Sequence, residues 1–179
     1  MNRDGRVFTV GDFRLAGGTC ADTVATWDGM SWHGLGADTS VDGTISAMIP
    51  DRNGGYFAAG SFVCAGGKVV NHIAHWDGVN CSGLDSGLHS SMGFIYPYTM
   101  VQDQNGILYV GGFFTQAGNI PVNGIAKWNG TNWEALGVDL DSRSLISLAV
   151  DSQNRLYAGG RFNPSHSDPP VYKDIWVQL

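Results

Sequence analysis

Charge is scarce in this chain. Asp, Glu, Lys and Arg make up 15% of 179 residues, with ten basic and sixteen acidic side chains and a net charge of −6. The basic residues are scattered: Arg3, Arg6, Arg14, Arg52, Lys68, Lys127, Arg143, Arg155, Arg161 and Lys173. Binding a phosphate backbone needs a basic stripe that displaces counterions, so no nucleic-acid partner is expected. No run approaches the roughly 20 apolar residues of a membrane-spanning helix, so no membrane span is expected. Apolar periodicity is also short, below the roughly 10 residues that would favour a helix over a strand. Cysteine is limited to Cys20, Cys64 and Cys81, without CxxC spacing. That excludes a disulfide framework and a zinc site, but leaves a single Cys20–Cys64 bridge open in an oxidising compartment. The opening "MNRDGRVFTVG" has no apolar segment of signal-peptide type. Either the protein is cytosolic or a leader lies outside this sequence.

Glycine, by contrast, is abundant at 26 residues, beside 43% hydrophobic residues. Glycine supplies the positive φ of tight turns and is poor inside helices. The composition therefore predicts an all-β fold, and the length allows one domain spanning 1–179. Fixed-period self-similarity refines this. Phe13, Phe62, Phe114 and Phe162 are separated by 49, 52 and 48 residues. The same offsets link Gly11, Gly60, Gly112 and Gly160, and Phe8, Phe57, Tyr109 and Tyr157. They also link Trp27, Trp76 and Trp128; Trp32, Cys81 and Trp133; and Leu35, Leu84 and Leu136. The repeats run approximately 5–53, 54–105, 106–153 and an incomplete 154–179.

Each repeat reads as four short strands. The first is "SAMIPD" (46–51), "YTMVQD" (98–103) or "ISLAVD" (146–151). A turn follows at Asp51–Gly54, Asp103–Gly106 or Asp151–Asn154, where Asn-Gly offers the two positive φ values of a two-residue hairpin. The second strand is "LYVGGFF" (108–114) or "LYAGGRF" (156–162), the third "GIAKW" (124–128) and the fourth "NWEALG" (132–137). Asp28-Gly29, Asp77-Gly78 and Asn129-Gly130 turn between the last two, with large aromatics on both arms packing against an adjoining sheet. An exposed tryptophan platform for sugars is the alternative. Cys81 fills a tryptophan position with a smaller side chain, so the second repeat must repack or carry a gap. No cation stands near it in sequence to activate the thiol.

Four-stranded antiparallel repeats of about 40–50 residues belong to β-propellers, which close with about 4–8 blades. Ala47, Thr99 and Ser147 are small, as an innermost strand near an axis requires. The doublets Gly111-Gly112 and Gly159-Gly160 permit close backbone approach. Leu108-Tyr109-Val110-Gly111-Gly112, followed by Trp128 and Trp133, resembles the kelch signature. The chain is thus similar to kelch or galactose-oxidase-type propellers. More narrowly, "LYVGGFFTQAG" with "IAKWNGTNWEALG" resembles repeats of large secreted or cell-surface bacterial proteins and of fungal cortical-marker-type propellers. There are departures: the doublet is Val10-Gly11 and Ala59-Gly60 in the first repeats, and tryptophan replaces the usual kelch tyrosine. "KDIWVQL" aligns with "GIAKWNG" only if Trp176 or Ile175 is out of register. The strand count is three, four, four and three. Such a set could make a four-bladed ring with two incomplete blades, half of an eight-bladed ring from two chains, or an excerpt of a longer protein. Open edges favour self-association or a fragment of a larger ring, and the start at Asn2–Gly5, matching Asp51–Gly54, suits an excerpt or designed piece with no function of its own.

Catalytic chemistry is not legible. Galactose-oxidase chemistry needs copper held by Tyr and His. Of His33, His72, His75, His89 and His166, the pair 72 and 75 would face opposite sides of a strand. "TWDGMSW" (26–32) has the wrong Asp-Gly spacing for a sialidase box, so Asp28 reads as a turn residue. No G-x-S-x-G or phosphate loop is present. The recurring Asp51, Asp103 and Asp151 are turn carboxylates, too isolated for a calcium loop. No catalytic, metal or cofactor residue is assigned. The connections 14–23, 63–72, 115–124, 163–172 and the long 86–97 diverge between repeats, and loops on a rigid scaffold carry recognition. The resemblance implies an extracellular or cell-surface, non-enzymatic module binding protein or glycan, or self-assembling. The alternative is a carbohydrate-active enzyme with its site in the axial funnel.

Overall fold

The structure, a computed structural model, describes residues 7–11, 13, 15–20, 23–34, 41–136, 142–162 and 173–178. The Asn2–Gly5 turn, Arg3, Arg6, Arg14, Leu35, His166 and the connection 163–172 lie outside them. Every regular element among the described residues is a strand, so the fold is all-β.

The chain lays down sheets in sequence order. The first unit has β1 (Val7–Val10), a small hairpin of β2 (Leu15–Ala16) and β3 (Thr19–Cys20), then β4 (Val24–Trp27) and β5 (Trp32–Gly34). The second has β6 (Thr44–Pro50), β7 (Tyr56–Ser61), the hairpin β8 (Cys64–Ala65) and β9 (Lys68–Val69), β10 (Ile73–Trp76) and β11 (Cys81–Gly83). After β12 (Leu88–His89) comes the third, with β13 (Tyr96–Gln102), β14 (Leu108–Phe113), β15 (Gln116–Ala117), β16 (Ile120–Pro121), β17 (Ile125–Trp128) and β18 (Trp133–Glu134). The last has β19 (Ser142–Val150), β20 (Leu156–Phe162) and β21 (Lys173–Gln178). The principal sheets are antiparallel, ordered β1-β4-β5, β6-β7-β10-β11, β13-β14-β17-β18 and β19-β20-β21. None closes on itself among the described residues.

A separate apolar layer joins each sheet to the next. Val24 meets Ile45, Ala74 and Cys81 between the first and second sheets. Phe57, Ala59 and Ile73 meet Met100, Leu108, Val110 and Trp133 between the second and third. Ile125 meets Leu145, Leu148, Leu156 and Ala158 between the third and fourth. One repeat cannot cover its apolar face alone, so neighbours bury it. The first strands also touch directly. Ser46 donates its hydroxyl to the Pro97 carbonyl, and Leu148 N donates to Thr99 Oγ1 at 3.2 Å.

Each of these first strands bulges at the same repeat position. The register skips between Ile45 and Ala47, Pro97 and Thr99, and Leu145 and Ser147, leaving Ser46, Tyr98 and Ile146 as the extra residues. All three are exposed, while Ala47, Thr99 and Ser147 are half-buried. Ala47 packs against the apolar layer and Thr99 Oγ1 accepts from Leu148 N of the next sheet, so these small residues lie where neighbouring sheets meet. The same bulge explains half of the glycine doublet. A Cβ on Gly60 or Gly112 would collide with the first-strand backbone beside it. At Gly111 the space is taken instead by the Leu145 side chain of the next sheet.

The Asp-x-Asn-Gly turns differ from the sequence expectation. Each loop has one positive φ, at Gly54 (94°), Gly106 (85°) or Asn154 (61°), not two. Asp51 Oδ1 instead accepts from Asn53 N and Gly55 N at 2.8 and 2.7 Å, and Asp103 and Asp151 repeat the pattern. These are three-residue hairpins with one left-handed residue, and Asn tolerates that role where the glycine is missing. In the last sheet Trp176 stands opposite Gly159, whereas Ile125 stands opposite the equivalent Gly111. Trp176 is thus out of register with Trp128.

Candidate functional site

The three turns after the third strands are built alike. Asp28 Oδ1 accepts from Met30 N and Ser31 N, Asp77 Oδ1 from Val79 N and Asn80 N, and Asn129 Oδ1 from Thr131 N and Asn132 N. These hydrogen bonds hold the Asp28 and Asp77 carboxyls below their ordinary value. The carboxylates are consumed by their own turns, as read from sequence for Asp28. The turns set Trp27 opposite Trp32 and Trp128 opposite Trp133, with ring centroids 5.4 and 5.3 Å apart. Trp133 is buried and donates its indole N–H to the Leu84 carbonyl of the second sheet at 2.9 Å.

In the second sheet Trp76 faces Cys81, and Trp76 lies parallel to Tyr56 instead, at 5.8 Å and 14°. The gap anticipated at Cys81 is present. A cavity of about 40 Å³ lies there, lined by Val24, Ile45, Met48, Ala58, Trp76 and Cys81 among others, nearly all apolar. The third sheet has Val110 and Trp133 at the positions of Ala58 and Cys81. Two smaller side chains thus leave the space, and Tyr56 in place of Leu108 recovers part of it. Burial pushes the Cys81 thiol up, and the Lys68 charge offsets this only partly, so it is not an activated nucleophile. Cys64 is a free thiol, and the Cys20 side chain lies outside the described ones.

The described histidines are engaged singly. His75 Nε2 lies 2.5 Å from Asp51 Oδ2, and His33 Nε2 lies 2.8 Å from Asp28 Oδ2. His72 precedes β10 rather than lying on it, with φ 72° and its Nδ1 3.2 Å from the Gly60 carbonyl. His89 Nε2 lies 2.9 Å from the Ser86 carbonyl. Among the described residues no three His, Cys, Asp or Glu side chains gather at one point.

Among the described residues the divergent connections between second and third strands are tied down as hairpins. The one in the third unit pairs with β12 of the preceding connection, and Gly118 N donates to the Gly87 carbonyl at 2.7 Å. In the second unit Ala65 bridges Val41, and Asp42 Oδ1 accepts from Val63 N and Cys64 N. They act as inter-sheet staples.

The exposed feature left over is on the long connection and β13. Met92, Phe94, Tyr96 and Tyr98 occupy alternate positions and are 64, 63, 44 and 42% exposed. The Tyr96 and Tyr98 rings are parallel within 6°, with centroids 6.2 Å apart. The loop beneath is held by Gly93 N to Ser90 O, Ser91 N to Thr115 Oγ1 and Met92 N to Ser90 Oγ. The matching residues 52 earlier are Ser40, Asp42, Thr44 and Ser46, and those 48 later are Leu140, Ser142, Ser144 and Ile146. None of these is aromatic, so the fold needs no aromatic side chains at these positions. Tyr96 and Tyr98 lie on β13, Met92 and Phe94 on the connection before it, and burial is not what keeps any of the four, since all are exposed. Sequence reading passes over them because it aligns the shared columns. Setting "YPYTM" against "TISAM" and "SLISL" exposes the contrast.

No family model matches the chain, and no curated protein matches it. A solved structure similar to it is the extracellular domain of a protein assigned as a one component system from B. thetaiotaomicron, at 13% identity and a TM-score of 0.49. The match covers 85% of this chain and 19% of that one, so the chain spans about a fifth of its neighbour's length. Among the described residues no helix is long and apolar enough to cross a membrane.

Proposed function

We propose that the stacked sheets are blades of a kelch-like β-propeller and that the chain is a non-enzymatic binding module of a cell-surface or secreted protein. Sheets packed in chain order with their first strands adjacent support the radial reading, as does the recurring doublet. Among the described residues the first and last sheets have three strands where the middle two have four, which favours completion by another copy or by the rest of a larger ring. The observation that carries the binding role is the exposed Met92-Phe94-Tyr96-Tyr98 ladder, whose aromatic side chains have no counterpart in the other repeats. Large exposed apolar patches on a rigid scaffold mark interaction sites. The sequences of β6, β13 and β19 contain no Asp or Glu, so these strands offer no acid for a glycosidase-type funnel.

Two measurements test this. Light scattering should give a multiple of the 19.1 kDa chain if copies complete a ring. A clean monomer counts against self-assembly, and an experimental structure without radial order overturns the propeller. Protein and glycan arrays probed with the native chain and a Met92→Ser/Phe94→Ser/Tyr96→Thr/Tyr98→Ser variant test the ladder. Signals that depend on the native side chains are expected; identical patterns would remove the binding role from this surface.

A further inference from the structure

We propose that Phe94, Tyr96 and Tyr98 form a platform for a neutral, extended glycan. The inference rests on the binding reading above and names its ligand class.

Three observations select this ligand. The first is charge. From Ser86 to Gln102 the sequence contains no Asp, Glu, Lys or Arg. Charged partners are chosen by complementary charge, and protein–protein interfaces recruit arginine with a polar rim. A segment without either sign supplies no ion pair of its own to an acidic polysaccharide, a phosphate or a charged peptide. The second is ring geometry. An aromatic face is electron-rich, and the C–H groups on one side of a pyranose ring carry partial positive charge. The Tyr96 and Tyr98 rings are parallel within 6°, with centroids 6.2 Å apart, and form one exposed aromatic pair on β13. Their phenolic hydroxyls add donors and acceptors at the wet edge of the platform. Phe94, two residues before Tyr96, is exposed on the connection that leads into β13. The third is preorganisation. Tyr98 is the bulge residue of β13, and the loop carrying Phe94 is hydrogen-bonded to Thr115 and Ser90. Little ordering entropy remains to be lost on binding, which suits a ligand whose individual contacts are weak.

The test is gel retardation by soluble polysaccharides of defined charge. The native chain is run through a neutral β-glucan, a neutral galactomannan, a neutral arabinoxylan and the anionic polygalacturonate. Beside it run Tyr96→Ser/Tyr98→Ser, which copies the hydroxyl class of Thr44 and Ser46 in the second sheet, Tyr96→Phe/Tyr98→Phe, and Val79→Ala as an exposed control. At least one neutral polysaccharide should retard the native chain and the control equally, unaffected by added salt because no charge pairs are screened. The serine variant should lose about tenfold or more in affinity, as removal of central aromatic anchors does. The phenylalanine variant, which keeps both rings, should fold and retain most of the retardation. Retardation that survives in the serine variant overturns the proposal, as does retardation by polygalacturonate alone that salt abolishes. If no neutral polysaccharide retards the chain but the serine variant changes the mass seen by light scattering, the surface is a self-contact. The glycan inference then fails while the binding role stands. If neither retardation nor mass depends on the ladder, both fail.

Discussion

Trp133 of the third sheet donates its indole N–H to the carbonyl of Leu84 in the second, 2.9 Å away and 49 residues earlier. The bond lies in a buried layer of apolar side chains shared by the two repeats. Trp133→Phe keeps an aromatic ring and strands the acceptor, which should cost about 1–3 kcal/mol. Trp133→Cys, which copies the second sheet, should cost more, about 3–5 kcal/mol, as large aromatic truncations do. Urea unfolding at unchanged m-value checks both, and a Trp133→Phe variant as stable as the native chain would show that the hydrogen bond is immaterial.

Cys81 leaves the complementary prediction. Filling the cavity of about 40 Å³ should gain up to ~1 kcal/mol, at roughly 24 cal/mol per Å³. Cys81→Leu and Ala58→Val, the latter borrowed from Val110, are the candidates. Cys81→Ser should destabilise, because it buries a hydroxyl among apolar side chains. Thermal melts of the three variants suffice, and a stabilised serine variant would contradict the apolar character of the site.

The two glycines of the doublet should respond differently. Gly112→Ala forces a Cβ into the backbone at Tyr96 and Pro97, which cannot yield without undoing the bulge. Gly111→Ala meets the end of the Leu145 side chain, which can rotate, and Ala59 already fills that position in the second sheet. Gly112→Ala should therefore cost several kcal/mol, toward the long tail of point-mutant effects, and Gly111→Ala about 1 kcal/mol. Reversed denaturation midpoints would refute the assignment of the two roles.

Acid sensitivity follows from the turn carboxylates. Burial alone would raise the Asp151 pKa. Hydrogen bonds from the Arg155 backbone and guanidinium, Gln153 N and the Tyr157 hydroxyl outweigh it and lower the value from 3.8 to about 2. Asp51 is lowered too: hydrogen bonds from His75, Gly55 and Asn53 outweigh its burial. Asp77 is lowered by Asn80 N and Val79 N. A carboxyl with a depressed folded pKa contributes stability above its unfolded value of about 3.9 and loses it as pH falls through the folded one. Unfolding free energy should thus drop between about pH 4 and pH 2. His72 adds an earlier step. Burial lowers its pKa below the ordinary 6.5, so stability declines as pH falls through 6.5 and the unfolded imidazole protonates. Asp77→Asn copies Asn129 and should preserve the turn while flattening the acid limb, measured by urea titrations at about pH 3 and pH 7, either side of the carboxylate range. An unchanged acid limb would show that Asp77 contributes nothing to it.

Much of the fold is legible in residue columns. Short strands, the turn role of Asp28 and the gap at Cys81 each follow from one side chain recurring, or failing to recur, at a fixed offset. The turn at Asp51–Gly54 escapes this reading because Asn-Gly is compatible with two hairpin types. Only the backbone shows that Asp51 accepts two N–H groups and leaves one positive φ. The aromatic ladder is invisible for the opposite reason. Repeat alignment rewards what is shared, and the aromatic side chains of Phe94, Tyr96 and Tyr98 are what the repeats do not share.

By itself the sequence determined the strand content, the period and the inward side chains, because alternation, turn chemistry and glycine placement act within a few residues. The tertiary structure decided which faces met. The first strands met side by side, with Ser46 donating to the Pro97 carbonyl and Leu148 N to Thr99, and the hairpin connections became staples through pairing with a neighbouring unit. Those outcomes depend on contacts between neighbouring repeats, far apart in the chain, where backbone pairing and packing volume, not local preference, set the free energy.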